Sequence, residues 1–475
     1  MTRSRPLIVV LSATVLLCGA YTSPGGGATW GAKALTARTA ARYHSIPSSF
    51  AGFNAPFRNN SWQALTPQLH QATASLGPGA LRVFGGITAN YWNWRTGKFF
   101  DQAGVPPAIR AASHQMAPIY LSDWADLVRE ANAAPVFDLN LVTSSLFDQV
   151  AMLRAARDLG MPIRGIELGN EIYLNTPLFA RRYPTPQAYG RTATRWIQAI
   201  KRDFPQAQIA AVGMLSRGGS KTRRQRDWTR RVLKTLHGED ALTFHTYWRS
   251  RSSGRRLSGR TLWAVFAAPI RRFNLLHKQG LRELPKGDDA WMTEWTVRPS
   301  SILRGRWAHG LSDAEYLLGL LGEPRVRQED LHALILSQPS GALFANSKGF
   351  RAGPATVPFA PTAVGAAFSE LHPLLSGGAR VRGLTVRDAP RIPGTQLAAV
   401  RAVAVQGRGA LLLNLTGRQR RVRLAGGPDC DGTLDSVWAP PAARITGQPG
   451  ELHHQALETH GPLPLPAYSV NRLSC

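Results

Sequence analysis

The chain is poor in cysteine, in acidic residues and in long apolar runs, and each shortage excludes something. Only three cysteines occur among 475 residues, Cys18, Cys430 and Cys475, too few for a disulfide-built scaffold. No cysteine or histidine cluster has zinc-like spacing, and His453-His454 stands without cysteines, so neither a structural metal nor a cofactor is expected. The apolar stretch Leu7–Leu17 is too short to span a bilayer comfortably. No repeat of solenoid length is present, which argues against a tandem-repeat scaffold.

That short run follows a basic start, Met1-Thr-Arg-Ser-Arg5, and ends at the small residues Cys18-Gly19-Ala20, the pattern of a cleavable secretory signal peptide over residues 1–20. An uncleaved anchor is the alternative, and bulky Leu17 makes Cys18 a poor lipidation site. The expected location is secreted or periplasmic, with no stable membrane insertion after cleavage. Cys430 and Cys475 would then meet in an oxidising compartment, where one disulfide is the natural expectation.

Acid is scarce relative to base: 57 Lys+Arg against 29 Asp+Glu give a formal charge of +28. Such a field concentrates polyanions, although arginine scattered along a chain equally reflects compositional bias. The dense run Arg249–Arg272 carries more meaning because it directly follows a candidate strand. Nucleic acid is not expected as a partner, since there is no reader helix or aromatic-studded single-strand module and the chain is expected to be exported.

What is present is a βα rhythm. After a Gly/Ala/Thr-rich segment over residues 21–45, read as a linker or as an arm that returns to the C-terminal module, short apolar runs alternate with amphipathic helices. Eight candidate strands follow: Phe50–Asn54, Leu81–Phe84, Pro135–Leu141, Gly165–Leu168, Ile209–Met214, Leu242–Trp248, Ala290–Trp295 and Leu331–Leu336. Thr185-Pro186 signals a helix start, and Tyr189, Ala193, Trp196, Ile197, Ile200 and Phe204 recur at steps of three and four. Eight such units predict a (β/α)8 barrel over residues 46–376. From about Gly377 helical periodicity gives way to short β-like runs between glycine-rich turns, which predicts a β-sandwich over residues 377–475 with Pro464–Leu473 as its last strand.

Two of the predicted strands end in glutamate, Gly169-Asn170-Glu171 and Thr293-Glu294-Trp295, separated by enough chain for about three strand–helix units. Barrel active sites lie at the C-terminal strand ends. Two carboxylates there are what glycosidic-bond cleavage requires, one protonated to release the leaving oxygen and one ionised to attack or shield the anomeric carbon.

Gly169-Asn170-Glu171, Leu81-Arg-Val-Phe-Gly-Gly86 with Asn90-Tyr-Trp-Asn-Trp94, Phe244-His-Thr-Tyr-Trp248 and Thr293-Glu294-Trp295 together resemble the clan A retaining glycoside hydrolases. Within that clan the chain looks most like family 79, the heparanase and β-glucuronidase type, with families 39 and 51 as neighbours. The resemblance covers most of residues 46–475. It implies Glu171 as general acid/base and Glu294 as nucleophile, with pKa values pushed apart by their surroundings. It further implies that Arg82 keeps Glu294 ionised, that Asn170 grips the sugar 2-hydroxyl and that Tyr247 donates to the nucleophile. His245 shares a strand face with Tyr247 and is read as a substrate contact or a core histidine. Asn140 is read as a sugar contact or a satisfied interior amide. Trp295, with Trp92, Trp94 and Trp248, is read as a sugar-stacking wall or as core.

Phe84 is bulky for its place in the pattern, and Ser337-Gln-Pro-Ser-Gly341 does not clearly reproduce the family's carboxylate-binding loop. The expected function is a secreted retaining glycoside hydrolase acting on a glycan, of uronic-acid type by resemblance and by the Arg249–Arg272 rim. The alternatives are a neutral-sugar β-xylosidase or α-L-arabinofuranosidase type, and a catalytically idle polyanion- or carbohydrate-binding or adhesion protein.

Overall fold

The structure is a computed structural model and describes residues 34–39, 42–56, 66–215, 222–249, 256–298, 302–336, 340–344, 359–425 and 432–475. The leader pattern, Cys18, Cys430, residues 250–255 of the arginine run and residues 337–339 lie outside the described residues. Cys475 is disulfide-bonded. No described helix is long and apolar enough to cross a membrane.

Eight parallel strands close into a barrel: β1 Gly52–Asn54, β2 Ala80–Val83, β3 Ala134–Asp138, β4 Gly165–Glu167, β5 Gln208–Val212, β6 Ala241–Trp248, β7 Asp289–Val297 and β8 Val326–His332, with β8 pairing back to β1. Helices cover the outside, and helix Pro186–Asp203 does so by burying one face. Helix Pro186–Asp203 is started by Thr185, whose hydroxyl accepts from Ala188 N, and by proline in the first turn. It buries Tyr189, Ala193, Trp196, Ile197 and Ile200. The Tyr189 hydroxyl donates to Leu168 O and accepts from Val212 N, so this helix pins the ends of β4 and β5 where the chain enters Asn170-Glu171.

Two strands differ from the sequence expectation for physical reasons. β8 is Val326–His332 rather than Leu331–Leu336, because its inward residues are polar and defeat a hydrophobicity criterion. Gln328 Nε2 donates to Asp330 Oδ1 on the inward face, while Glu329, on the opposite face, accepts from Trp295 Nε1 in the layer between strands and helices, and all four are buried. Ile335–Leu336 instead pairs with Leu343–Phe344. The expected strand Pro464–Leu473 is two, Leu463–Leu465 and Ser469–Ser474, broken by a turn in which Tyr468 takes φ +54.

Ten further strands form one sheet around a second apolar core that includes Val400, Ala402, Leu412, Leu434 and Leu473. Leu35–Thr39 lies within this sheet, antiparallel to Ala379–Arg387 and parallel to Arg420–Ala425, and His44–Ile46 also pairs with Ala379–Arg387. The chain thus visits the sandwich before it enters the barrel. Helix Trp307–Leu321 is buried along its whole length, and the Trp307 indole donates to Tyr468 O across the two modules.

Candidate active site

Parallel register gathers the polar residues at one barrel end. His332 pairs with Asn54 and Asn54 with Arg82 across β8, β1 and β2. His245 pairs with Glu294 across β6 and β7, and Asp138 with Glu167 across β3 and β4. Glu294 and Tyr247 sit on their strands, whereas Glu171 lies four residues beyond the end of β4 in a turn. There Gly169 takes φ +84 and Glu171 itself φ +46, a left-handed backbone that few non-glycine residues adopt and that concentrates at functional sites. A Cβ on Gly169 would approach Ile172 Cδ1 to 3.0 Å. Asn90 holds the turn: its Nδ2 donates to Asn170 O at 2.7 Å and its Oδ1 accepts from Asn170 N.

The two carboxylates face each other. One oxygen from Glu171, one from Glu294 and a nitrogen of His245 all lie within 4.8 Å of one another. Glu294 Oε1 accepts from Arg82 Nη1 at 3.1 Å and Asn54 Nδ2 at 3.2 Å, and its Oε2 accepts from the Tyr247 hydroxyl at 2.5 Å. Glu171 Oε1 accepts from the Tyr173 hydroxyl at 2.5 Å. His245 Nδ1 lies 3.2 Å from Glu171 Oε1 and 3.4 Å from Glu294 Oε2.

These contacts set the charge states. Burial pushes the Glu294 carboxyl up, but His245, Arg82 and the Tyr247 donor are among the groups that outweigh it and hold the group at about 2. Burial pulls His245 down, and Glu294 with Glu171 more than compensates, so the imidazole stays protonated above its ordinary value. Burial also leads for His332, whose pKa is lowered. A neutral His332 can accept at Nδ1, which lies 2.6 Å from Asn54 Nδ2.

Arg82 is the hub. Its guanidinium is fully buried, with Nε on Glu167 Oε2 at 2.7 Å, Nη2 on Asp138 Oδ2 at 2.7 Å and on Asn170 Oδ1 at 2.9 Å, and Nη1 on Glu294 and Asn54 Oδ1. Burial, reinforced by Glu167 and Glu294, lifts Asp138 well above the carboxylate range despite Arg82. The glycines of Gly85-Gly86 permit this approach, since a Cβ on Gly85 would come within 1.6 Å of Asn54 Oδ1.

Glu171, Glu294, Arg82, Asn170, His245 and Tyr247 thus meet in one place. Because Arg82 occupies Asn170 Oδ1, Nδ2 is the atom left for a ligand. Two expected contacts do not join them. Asn140 spends both ends of its amide locally: Nδ2 donates to Trp92 O and Thr143 Oγ1, and Oδ1 accepts from Val142 N and Thr143 N. Trp295 is wholly buried, stacked with Trp248 at 6.4 Å and bonded to Glu329, so it is core. Trp92 and Trp248 are also buried, and Phe84 points into an aromatic cluster with Trp92, Phe99 and Trp124.

Asn54, His332, Tyr173, Asn90 and Glu167 belong to the site although sequence reasoning passed over them. A polar residue closing an apolar barrel strand was the available signal for Asn54, but His332 was hidden by the misplaced eighth strand.

Glu171, His245 and Glu294 form a set of three that could hold a metal ion. The donor chemistry does not favour it. The imidazole holds its proton more tightly than an ordinary histidine, both Glu294 oxygens already accept hydrogen bonds, and the Arg82 cation sits 3.1 Å away.

No protein-family model matches the chain, and no curated protein matches it. Solved structures do. An α-L-arabinofuranosidase from Thermotoga maritima in complex with arabinose superposes with a TM-score of 0.66 at 16% identity, over 93% of this chain and 99% of that one. A family 51 α-L-arabinofuranosidase from Bifidobacterium longum gives 0.70 at 16% identity over the same shares. A 4-O-α-L-rhamnosyl-β-D-glucuronidase from Fusarium oxysporum gives 0.63 at 14% identity over 93% and 100%. At such identities the likeness is one of fold, and the chain shares with these glycosidases a (β/α)8 barrel joined to a β-sandwich.

Proposed function

We propose that the protein is a retaining glycoside hydrolase, exported on the strength of its N-terminal pattern, with Glu294 as nucleophile and Glu171 as acid/base. One observation carries the reading: the facing Glu171 and Glu294 oxygens lie within 4.8 Å while Glu294 is held ionised. Retaining enzymes separate their carboxyl groups by about 5–5.5 Å, and inverting enzymes leave room for a water at about 6.5–9.5 Å.

In the first step Glu294 bonds to the anomeric carbon as the glycosidic C–O bond breaks, and Glu171 delivers its proton to the leaving oxygen. In the second, Glu171 takes a proton from water as that water's oxygen bonds to the anomeric carbon and the bond to Glu294 breaks. One negative charge passes from Glu294 to Glu171 and back. The His245 cation, 3.4 and 3.2 Å from the two, faces it in either position.

The sugar being cleaved is proposed to be neutral, of the pentoside kind, because among the described residues the reaction centre has no cation to spare for a uronate. Arg82 is spent on Glu167, Asp138 and Glu294, and His245 lies between the catalytic pair. Two of the similar solved structures are arabinofuranosidases. The uronide alternative draws on the arginine-rich rim and on the glucuronidase among those structures.

Nitrophenyl α-L-arabinofuranoside, β-D-xyloside and β-D-glucuronide, with the first-formed anomer followed by proton NMR, test this. Retention with a pentoside preferred is the expected result. Inversion removes Glu294 as nucleophile, and a preferred glucuronide reverses the sugar assignment. Inertness towards all three overturns the reading.

A further inference from the structure

Beside the reaction centre lies a cavity of about 640 Å³ between the ends of β6 and β7 and helix Gly259–Leu275, well within the usual size range of a ligand pocket. Arg249, Arg271, Arg272 and Arg298 line it together with Tyr247 and Trp248. On the helix, Ala264 and Ala268 share the face of Arg271 and Arg272, and their small side chains leave the space open. The cavity sits at the barrel mouth. Gly280, in the turn that continues this helix, packs beside Phe244 on β6, so the antiparallel climb brings Arg271 level with Trp248 and carries Ala268 and Ala264 beyond the strand end.

Three features make this more than a basic surface. Arg249, Arg271 and Arg298 have no carboxylate partner among the described residues. The Arg298 guanidinium lies 5.1 Å over the Tyr247 ring, which fixes one cation against the wall. That wall is shared with the reaction centre, because the hydroxyl of the same Tyr247 donates to Glu294 Oε2. A group in the cavity is thus one tyrosine ring away from the bond to be broken.

We infer that this cavity is a binding subsite for an anionic group, carboxylate or sulfate, on the glycan unit next to the sugar that is cleaved. The inference rests on the glycosidase reading and deepens it: the enzyme acts on an acidic glycan, yet reads the acid one unit away from the neutral residue it removes. Arginine suits the task because its planar fork matches both oxyanions, and several such contacts around one anion amount to an order of magnitude or more in affinity.

Calorimetry of the intact protein with tetragalacturonate, carrying carboxylates, and with a carrageenan tetrasaccharide, carrying sulfates, tests it. A second cavity, lined by Arg191, Arg195, Arg182 and Lys234 and remote from Tyr247 in sequence and lining, supplies the control. The expected result is that Arg249→Gln with Arg271→Gln weakens binding of one probe by about tenfold or more, and that Arg191→Gln with Arg195→Gln changes it less than about twofold. The tighter probe identifies the anion. Equal losses from both pairs mean that the +28 field alone attracts polyanions, and absence of binding by either probe also overturns the subsite. The two proposals fail separately: aryl pentosides cleaved without anion binding leave the reaction standing, whereas anion binding at Arg249 and Arg271 without cleavage of any aryl glycoside leaves only the subsite.

Discussion

Around Glu294 every nearby cation is committed to the protein, whereas one tyrosine ring away Arg249, Arg271 and Arg298 have no carboxylate partner among the described residues. Burial explains the contrast. Arg82 is fully buried, and an unpaired charge there would cost several kcal/mol, of order 3–5 when one partner of a buried pair is removed. It is therefore surrounded by Asp138, Glu167 and Glu294, and burial with the two neighbouring glutamates pushes the Asp138 carboxyl up. Arginines at the barrel rim reach water and carry no such penalty, so they can remain open for a ligand. A cation already committed to carboxylates holds a nucleophile in place; one without a carboxylate is open to recognise a ligand.

The comparison breaks most severely at Glu294 itself. Glu294→Gln removes the attacking oxygen while keeping an acceptor for Arg82, so kcat/KM should fall by roughly 10⁴-fold on any cleaved aryl glycoside. The same variant should retain its affinity for the anionic tetrasaccharide, as calorimetry would show. Loss of both would mean that the two networks are one.

Tyr247→Phe should act next in size, because the phenol joins the two regions. Removing a charge-assisted donor costs about 1.5–3 kcal/mol, so the Glu294 pKa rises and the acidic limb of kcat/KM against pH moves upward by about one unit. The sign follows from linkage. Glu294 is held below its ordinary 4.5, so its contribution to stability is present above that pH and is lost as pH falls towards about 2. His245 is raised above 6.5, so its contribution is present below that pH and is lost as pH rises through its folded value. Thermal unfolding as a function of pH should show Tyr247→Phe less stable than the parent chain above about pH 4.5, with the deficit shrinking as pH falls towards about 2. An unmoved acidic limb would remove Tyr247 as the group tuning Glu294.

The smallest effect on activity is expected at Trp295. Trp295→Phe deletes the indole donor to Glu329 in a buried, apolar setting and should cost about 1–2 kcal/mol in urea unfolding, with KM for aryl glycosides unchanged. A raised KM would restore Trp295 to the substrate-facing wall.

Part of this site was legible from residue type at strand ends. Glu171 and Glu294 stand out because carboxylates close apolar runs where a barrel opens, whereas Arg82, Asn170 and Tyr247 were singled out by the resemblance to clan A glycoside hydrolases. His332 did not stand out, because Gln328-Glu329-Asp330 looks like loop to any reading based on hydrophobicity. Those residues are buried only because the fold supplies partners on both faces of the strand, Asp330 for Gln328 inside the barrel and the Trp295 indole for Glu329 beneath the helices. Asn140 and Trp295 were equally persuasive as contacts, and nothing local marks an amide whose atoms are all engaged by its neighbours or an indole turned away from the mouth.

By itself the sequence determined the periodicities: strands and helices in eightfold alternation, a β-rich C-terminal region, two glutamates at strand ends and a strong positive charge. These are local properties, set by which side chains recur at steps of two or of three and four. Only the tertiary structure decided which atoms meet. Register across β8, β1 and β2 brings His332, Asn54 and Arg82 together, and the left-handed turn at Glu171 brings its carboxylate towards Glu294. Closure of the barrel makes one guanidinium serve three carboxylates. Charge states depend on those distances and on burial, so the division into a spent centre and an open arginine rim exists only once the chain has folded.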